Sequence, residues 1–253
     1  MTTERAQTCF FEKDPTCSLA SRALAEGVGT CLLMLVAAGS GLSVHRLFPN
    51  SPVLALAVSA AGIAGSLAGL IVAFGSASGG HFNPLISGLQ WLGGERKLRC
   101  ALAYIAAQLV GAVLGVLLAH AVFGTPVHLA HPQVPSWSLV ASELIASFGL
   151  LMVVFGCARG ARKEVGPFAV GAWLFGAIIA MPSTSYANPA ITCAALLANG
   201  SIGLNSTTAG LYLLAELAGA LLAYPVFTVI YPQRHPEVAS FKRRCRVTDR
   251  GER

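Results

Sequence analysis

The apolar positions of this chain gather into long blocks, with charged and turn-forming residues collected between them. Six blocks stand out, at about 22–45, 53–75, 98–123, 137–158, 166–182 and 209–231. A helix needs roughly 20 apolar residues to cross about 30 Å of hydrocarbon, and most of the blocks are that long. The pattern predicts an all-α integral membrane domain over 22–231, with a tail at 1–21 and a basic tail at 232–253. Residues 1–20 carry Glu4, Glu12 and Asp14 and no apolar core segment. The first span is therefore expected to act as an insertion signal that stays in place.

The blocks fall into two related sets. Span 1 opens LAEGVGTCLLMLV and span 4 opens ASELIASFGLLMVV, each placing one carboxylate, Glu26 or Glu143, near its start. Span 3 carries YIAAQLVGAVLG and span 6 carries YLLAELAGALLA, so that Gln108 and Glu216 correspond. An Asn-Pro step lies between spans 2 and 3, and another between spans 5 and 6. The order span, span, Asn-Pro segment, span thus occurs twice, over about 22–123 and 137–231. Three is an odd number of crossings, so the second copy must enter from the opposite side. This is an inverted-topology repeat, a plan that puts the functional site near the midplane.

Each Asn-Pro step reads as the start of a half-helix. Pro84 and Pro189 suit the first helical position, where the missing N–H has no partner to lose. Asn83 and Asn188 are good N-caps. The apolar run after each step is roughly 8–10 residues, or about 12–15 Å of helix, half a bilayer. Non-helical backbone at that depth must be buried or line a wet cavity. Gly75, Gly79 and Gly80 suit the first entry segment, and Ser183, Thr184 and Ser185 supply polar groups to the second. Two half-helices entering from opposite faces would meet N-terminus to N-terminus. That meeting point carries partial positive charge and repels cations and protons. The two Asn amides would offer N–H donors to a solute oxygen there.

These residues resemble the signatures of the aquaporin, or major intrinsic protein, family. SGGHFNP at 78–84 and NPA at 188–190 are similar to its two loops, and AEGVGT, AQLVGAVLG and GPFAVG to its helices. The resemblance implies six transmembrane helices plus two re-entrant half-helices. It also implies one pore per subunit, a homotetramer, and a passive channel for water or small uncharged solutes, without cofactor or metal and not an enzyme. It places Asn83, Pro84, Leu85, Asn188, Pro189 and Ala190 at the pore centre. It gives Glu26 and Glu143 the task of accepting hydrogen bonds from the re-entrant loops, against a competing reading as a proton relay. His81 either faces the cytoplasmic half of the pore or holds its loop. Gly27, Gly29, Gly111 and Gly115 are expected to allow close helix packing.

Two positions depart from the family pattern. The residue after the second Asn-Pro-Ala is almost always Arg in the family and is Ile191 here. No Lys or Arg lies between Lys163 and Arg234 to replace it. The other constriction positions carry over as Ile63, Ser185 and, in span 5, Ile178 or Gly176, with Ile178 preferred because helical spacing is the more rigid guide. An aliphatic, arginine-free constriction is expected to be less selective against glycerol, urea and neutral metalloid hydroxides. Such a constriction is similar to that of bacterial aquaglyceroporin-like channels associated with arsenic resistance, which adds neutral arsenicals. Leu85 replaces the Ala of the first loop and either narrows the centre or packs away from it. Two other classes compete with the channel: a proton-coupled secondary transporter on the same inverted plan, and a non-transporting scaffold.

Composition and charge sharpen this picture. The chain is 55% hydrophobic and 11% charged, where a soluble domain is about a quarter charged. The net charge of +6 would suit a nucleic-acid binder if it were clustered on one fold face. It is not: of the 17 Lys and Arg, all but Arg46 fall in the two tails, at the start of span 1 (Arg22) and in or beside the 2–3 and 4–5 connections. By the positive-inside rule that places both termini in the cytoplasm, as an even number of spans requires. The expected location is the plasma (inner) membrane, with the lipid bilayer as partner and no nucleic acid. The seven cysteines show no metal-ligand spacing. Cys31 and Cys193 lie in apolar segments, where packing is the expected role.

Overall fold

Local signals set most of the helix starts. The computed structural model describes residues 17–160 and 163–231, so the basic tail at 232–253 lies outside the described residues. Helix α1 (Leu19–Leu47) is capped by Ser18, whose Oγ accepts the Ser21 N–H at 3.1 Å. Helix α2 (Pro52–Ser78) begins on proline and ends at Gly79, which takes a left-handed φ of 98°. Helices α4 (Leu98–Phe123) and α5 (Trp137–Arg159) follow the third and fourth blocks closely. Helix α8 (Ser206–Ile230) is capped by Asn205, whose Oδ1 accepts the Thr208 N–H at 3.0 Å.

The two half-helices are present. Helix α3 (Pro84–Leu92) has nine residues and starts on Asn83-Pro84. Helix α7 (Pro189–Ala194) has six and starts on Asn188-Pro189. The second was expected to run to about Ala198; instead it tightens into a 3-10 turn at Ala195–Leu197. The fifth block was expected to reach 182, but α6 (Gly166–Ala180) stops two residues earlier. Met181 precedes Pro182, whose ring pushes the residue before it out of helical geometry, and Met181 is extended at φ −97°, ψ 134°. Among the described residues, five helices are long and apolar enough to cross a membrane, while α6 is apolar but has only 15 residues.

Packing repeats the sequence symmetry. Helix α1 lies against α4 and α2, α5 lies against α8 and α6, and α2 meets α6 across the pseudo-twofold. The tight crossings rest on matched glycines. A Cβ on Gly111 would fall on the Gly27 carbonyl of α1, and one on Gly219 would fall on the Leu144 carbonyl of α5. Small residues at such crossings let helix backbones approach in lipid, where no hydrophobic drive pulls them together. Large apolar side chains cover the outside, among them Leu24, Val53, Val122 and Val229. An outer surface this apolar identifies hydrocarbon as its solvent. Cys31 and Cys193, expected to be packed, are half-buried.

Candidate functional site

The polar residues inside the bundle form two copies of one device. In the first, Glu26 on α1 has no exposure and engages both oxygens on the segment before α3. Its Oε1 accepts from Ser78 Oγ at 2.6 Å and from the His81 N–H at 2.9 Å. Its Oε2 accepts from the Phe82 N–H at 2.7 Å and from Gln108 Nε2 at 2.8 Å. In the second, Glu143 on α5 accepts the Tyr186 N–H at 3.0 Å and the Ala187 N–H at 2.8 Å. Successive N–H groups in a tight turn form a concavity suited to an anion, and each carboxylate fills one. A bare N–H at this depth would have no water to turn to.

The fourth residue of each device differs between copies. Gln108 donates to Glu26 and also to Ser87 Oγ at 3.1 Å. Glu216, its counterpart, accepts the Asn188 N–H at 3.2 Å and the Thr192 hydroxyl at 2.5 Å. Both act as polar anchors of a half-helix. Ser87 and Thr192 each stand four residues after the loop Asn. Matching the two loops residue by residue would have revealed that pair, which the reading of the blocks missed.

The two loops are tied to each other at their tips. Asn83 Nδ2 donates to the Ala187 carbonyl and Asn188 Nδ2 donates to the Phe82 carbonyl, both at 2.8 Å. Each Asn also caps its own half-helix: Oδ1 of Asn83 accepts the Leu85 N–H at 2.9 Å, and Oδ1 of Asn188 accepts the Ala190 N–H at 3.1 Å. An amide nitrogen carries two hydrogens. With one used across the tip, the second remains to meet a solute, and both Asn side chains line the central cavity.

Holding the tips this way strains the backbone. Phe82 and Ala187, the residues before each Asn, have φ of 47° and 44°. In the first loop the other left-handed stations are Gly79 and Gly80; in the second they are Thr184 and Ser185, at φ 62° and 57°. A left-handed non-glycine costs about 1–2 kcal/mol, and a glycine placed there returns about 0.5–1 kcal/mol of that as lost chain entropy. Thr184→Gly is therefore expected to raise the unfolding temperature in detergent by about 2 °C. A fall on thermal melting would show that the Thr184 hydroxyl, which donates to the Ser183 carbonyl at 2.6 Å, matters more than the strain.

One cavity of about 270 Å³ runs past both tips. Its walls include Ile63, Ile178, Ser185 and Ile191, together with His81, Asn83 and Asn188. Gly176 is exposed on the outside of α6 and is not among the lining residues. Leu85 and Ala190 are buried in the core outside the lining set, as their half-helices turn those side chains into packing. Pro84 and Pro189 begin the half-helices and do not line the cavity either. His81 lines the cavity, and its Nδ1 shares a 2.9 Å hydrogen bond with Ser87 Oγ.

A family signature described as major intrinsic protein matches residues 15–186. The chain is similar to aquaglyceroporin AqpS of Rhizobium meliloti (strain 1021), at 34% identity over 206 residues, covering 81% of this chain and 88% of the relative. It is also similar to aquaporin TIP1-2 of Zea mays, at 29% over 229 residues, covering 86% and 88%. A probable aquaporin TIP2-2 of Oryza sativa subsp. japonica is 29% identical over 220 residues, covering 82% and 86%.

Proposed function

The chain belongs to the major intrinsic protein family, and from that premise we propose that its lumen admits uncharged solutes larger than water: glycerol, urea and neutral metalloid hydroxides, arsenicals included. The coarser statement is plain: the protein is a passive multi-pass membrane channel for water or small solutes, not an enzyme. The finer reading rests on one observation. Ile63, Ile178 and Ile191 line the cavity together with Ser185, and the position after the second Asn-Pro-Ala brings no cation. Similarity to a relative named an aquaglyceroporin supports it.

The mechanism follows from the fixed groups. The paired Asn amides turn a passing oxygen toward themselves, and the N-terminal ends of α3 and α7 repel cations. At the outer constriction no guanidinium competes for the solute or narrows the passage. The coupled-transporter reading would need a free ion site, and Glu26 and Glu143 are engaged in holding loop backbone. Cytoplasmic termini in a plasma membrane and assembly as a homotetramer belong to the same proposal. The charge distribution supports the first, a bacterial relative the second and family membership the third.

Ile191→Arg tests the constriction. In stopped-flow light scattering on proteoliposomes, the substitution should lower glycerol and urea permeability about tenfold or more, and water permeability much less, since a charged side chain both narrows the passage and rejects solutes that cannot satisfy it. Ile191→Val should leave both unchanged. An unaltered glycerol-to-water ratio in the Arg variant would remove Ile191 from the selective point.

A further inference from the structure

Several polar side chains of the outer lumen are already committed to protein partners. The Thr184 hydroxyl donates to the Ser183 carbonyl at 2.6 Å, and the Tyr186 hydroxyl donates to the Ile202 carbonyl at 2.9 Å. The Asn83 and Asn188 amides each have one N–H held by the opposite loop. Ser185 Oγ has no hydrogen-bond partner among the described residues, although the residue is only 6% exposed. It lines the cavity, and so do three branched aliphatic side chains, Ile63, Ile178 and Ile191. The approach from the α1–α2 connection is mostly apolar, lined by Val44, Phe48, Pro49, Pro52 and Leu56, with Ser59 and Ser201 also on the wall.

From this arrangement we infer that the channel prefers solutes with a single hydrogen-bonding edge and an alkyl remainder, such as alkyl diols and N-alkylated amides, over fully hydroxylated or unsubstituted solutes of the same size. The inference rests on the constriction proposed above. At that constriction the side chains of Ile63, Ile178, Ser185 and Ile191 offer a solute one hydroxyl that can donate and accept, and otherwise methyl and methylene groups. A solute with one polar edge satisfies that hydroxyl and presents its alkyl part to the isoleucines. A solute polar on every side leaves its other groups without partners in the narrow stretch. An unmet polar group in apolar surroundings is costly, and a hydrophobic wall discriminates one small group by about tenfold or more.

The natural pairs are propane-1,2-diol against glycerol and N-methylurea against urea, measured as the protein-dependent part of permeability after subtracting protein-free vesicles of the same lipid. In the wild type the alkylated member of each pair should pass about tenfold faster. Ile191→Thr keeps the branched shape and adds a hydroxyl, so it should bring both ratios toward one by speeding glycerol and urea. Ser185→Ala removes the hydroxyl of the constriction and should slow the alkylated solutes most. Wild-type ratios near one, with Ile191→Arg still blocking glycerol, would overturn the alkyl preference and leave the constriction standing. If Ile191→Arg changes neither glycerol nor urea, the constriction falls and the preference with it. The wild-type ratios need no variant, so misfolding of a mutant cannot shelter the inference.

Discussion

Glu26→Leu is expected to abolish the channel, leaving little assembled protein in the membrane and no protein-dependent flux. The Glu26 carboxylate accepts four hydrogen bonds from Ser78, His81, Phe82 and Gln108. Leucine accepts none. Ser78 can rotate, and Gln108 keeps its bond to Ser87, but the two backbone N–H groups of His81 and Phe82 cannot move without undoing the loop. A buried donor left without a partner costs about 1–3 kcal/mol, and the Glu26 site has no exposure through which water could replace the carboxylate. Phe82 would also lose what holds it at φ 47°. Glu26→Gln keeps one acceptor oxygen and should retain partial assembly. Glu143→Leu should damage the second loop in the same way, because the Tyr186 and Ala187 N–H groups depend on that carboxylate. Yield from membranes, melting temperature in detergent and water flux check the order. Wild-type values for Glu26→Leu would mean the loop is held by packing alone.

Gly111→Leu should disrupt the bundle at a different point. A Cβ at this position lands on the Gly27 carbonyl, a backbone atom of α1 that no rotamer change can relieve. Overpacking a core commonly costs about 1–3 kcal/mol, and more when the backbone must shift. The shift would part α1 from α4 and carry Glu26 away from Gln108, so the crossing and the first loop would fail together. Gly65→Leu is the control: a Cβ there meets nothing within 4 Å. Replacement of that glycine should be tolerated, and a better helix former gains up to about 1 kcal/mol. Size-exclusion profiles and thermal melting of the two variants side by side decide the matter. Similar behaviour of both would show that α1 and α4 can separate without cost.

Much of the site was legible because its signals are local. The Asn-Pro steps name their own structure: asparagine caps, proline begins, and the apolar run sets a half-length. The correspondence of Glu26 with Glu143, and of Gln108 with Glu216, is visible from span alignment alone. Ser87 and Thr192 were missed because a lone hydroxyl in an apolar run carries no signal until the two loops are compared. The span 5 position stayed open between Ile178 and Gly176 because counts from the two ends disagreed across a short connection. Only the turn of α6 shows which residue meets the lumen.

The chain by itself determined the number of apolar helices, their inverted pairing, the caps of both half-helices and the absence of a cation after Asn188-Pro189-Ala190. Those depend on block length, parity and neighbouring residues, which do not change with the rest of the fold. Only the tertiary structure decided that Asn83 reaches the Ala187 carbonyl, 104 residues away, and that Asn188 reaches Phe82, 106 away. It alone put Phe82, Thr184, Ser185 and Ala187 in left-handed backbone and left the Ser185 hydroxyl facing isoleucine walls. The physical reason is that strain and long-range hydrogen bonds are imposed on a segment by partners from the other repeat, and nothing within the segment itself encodes them.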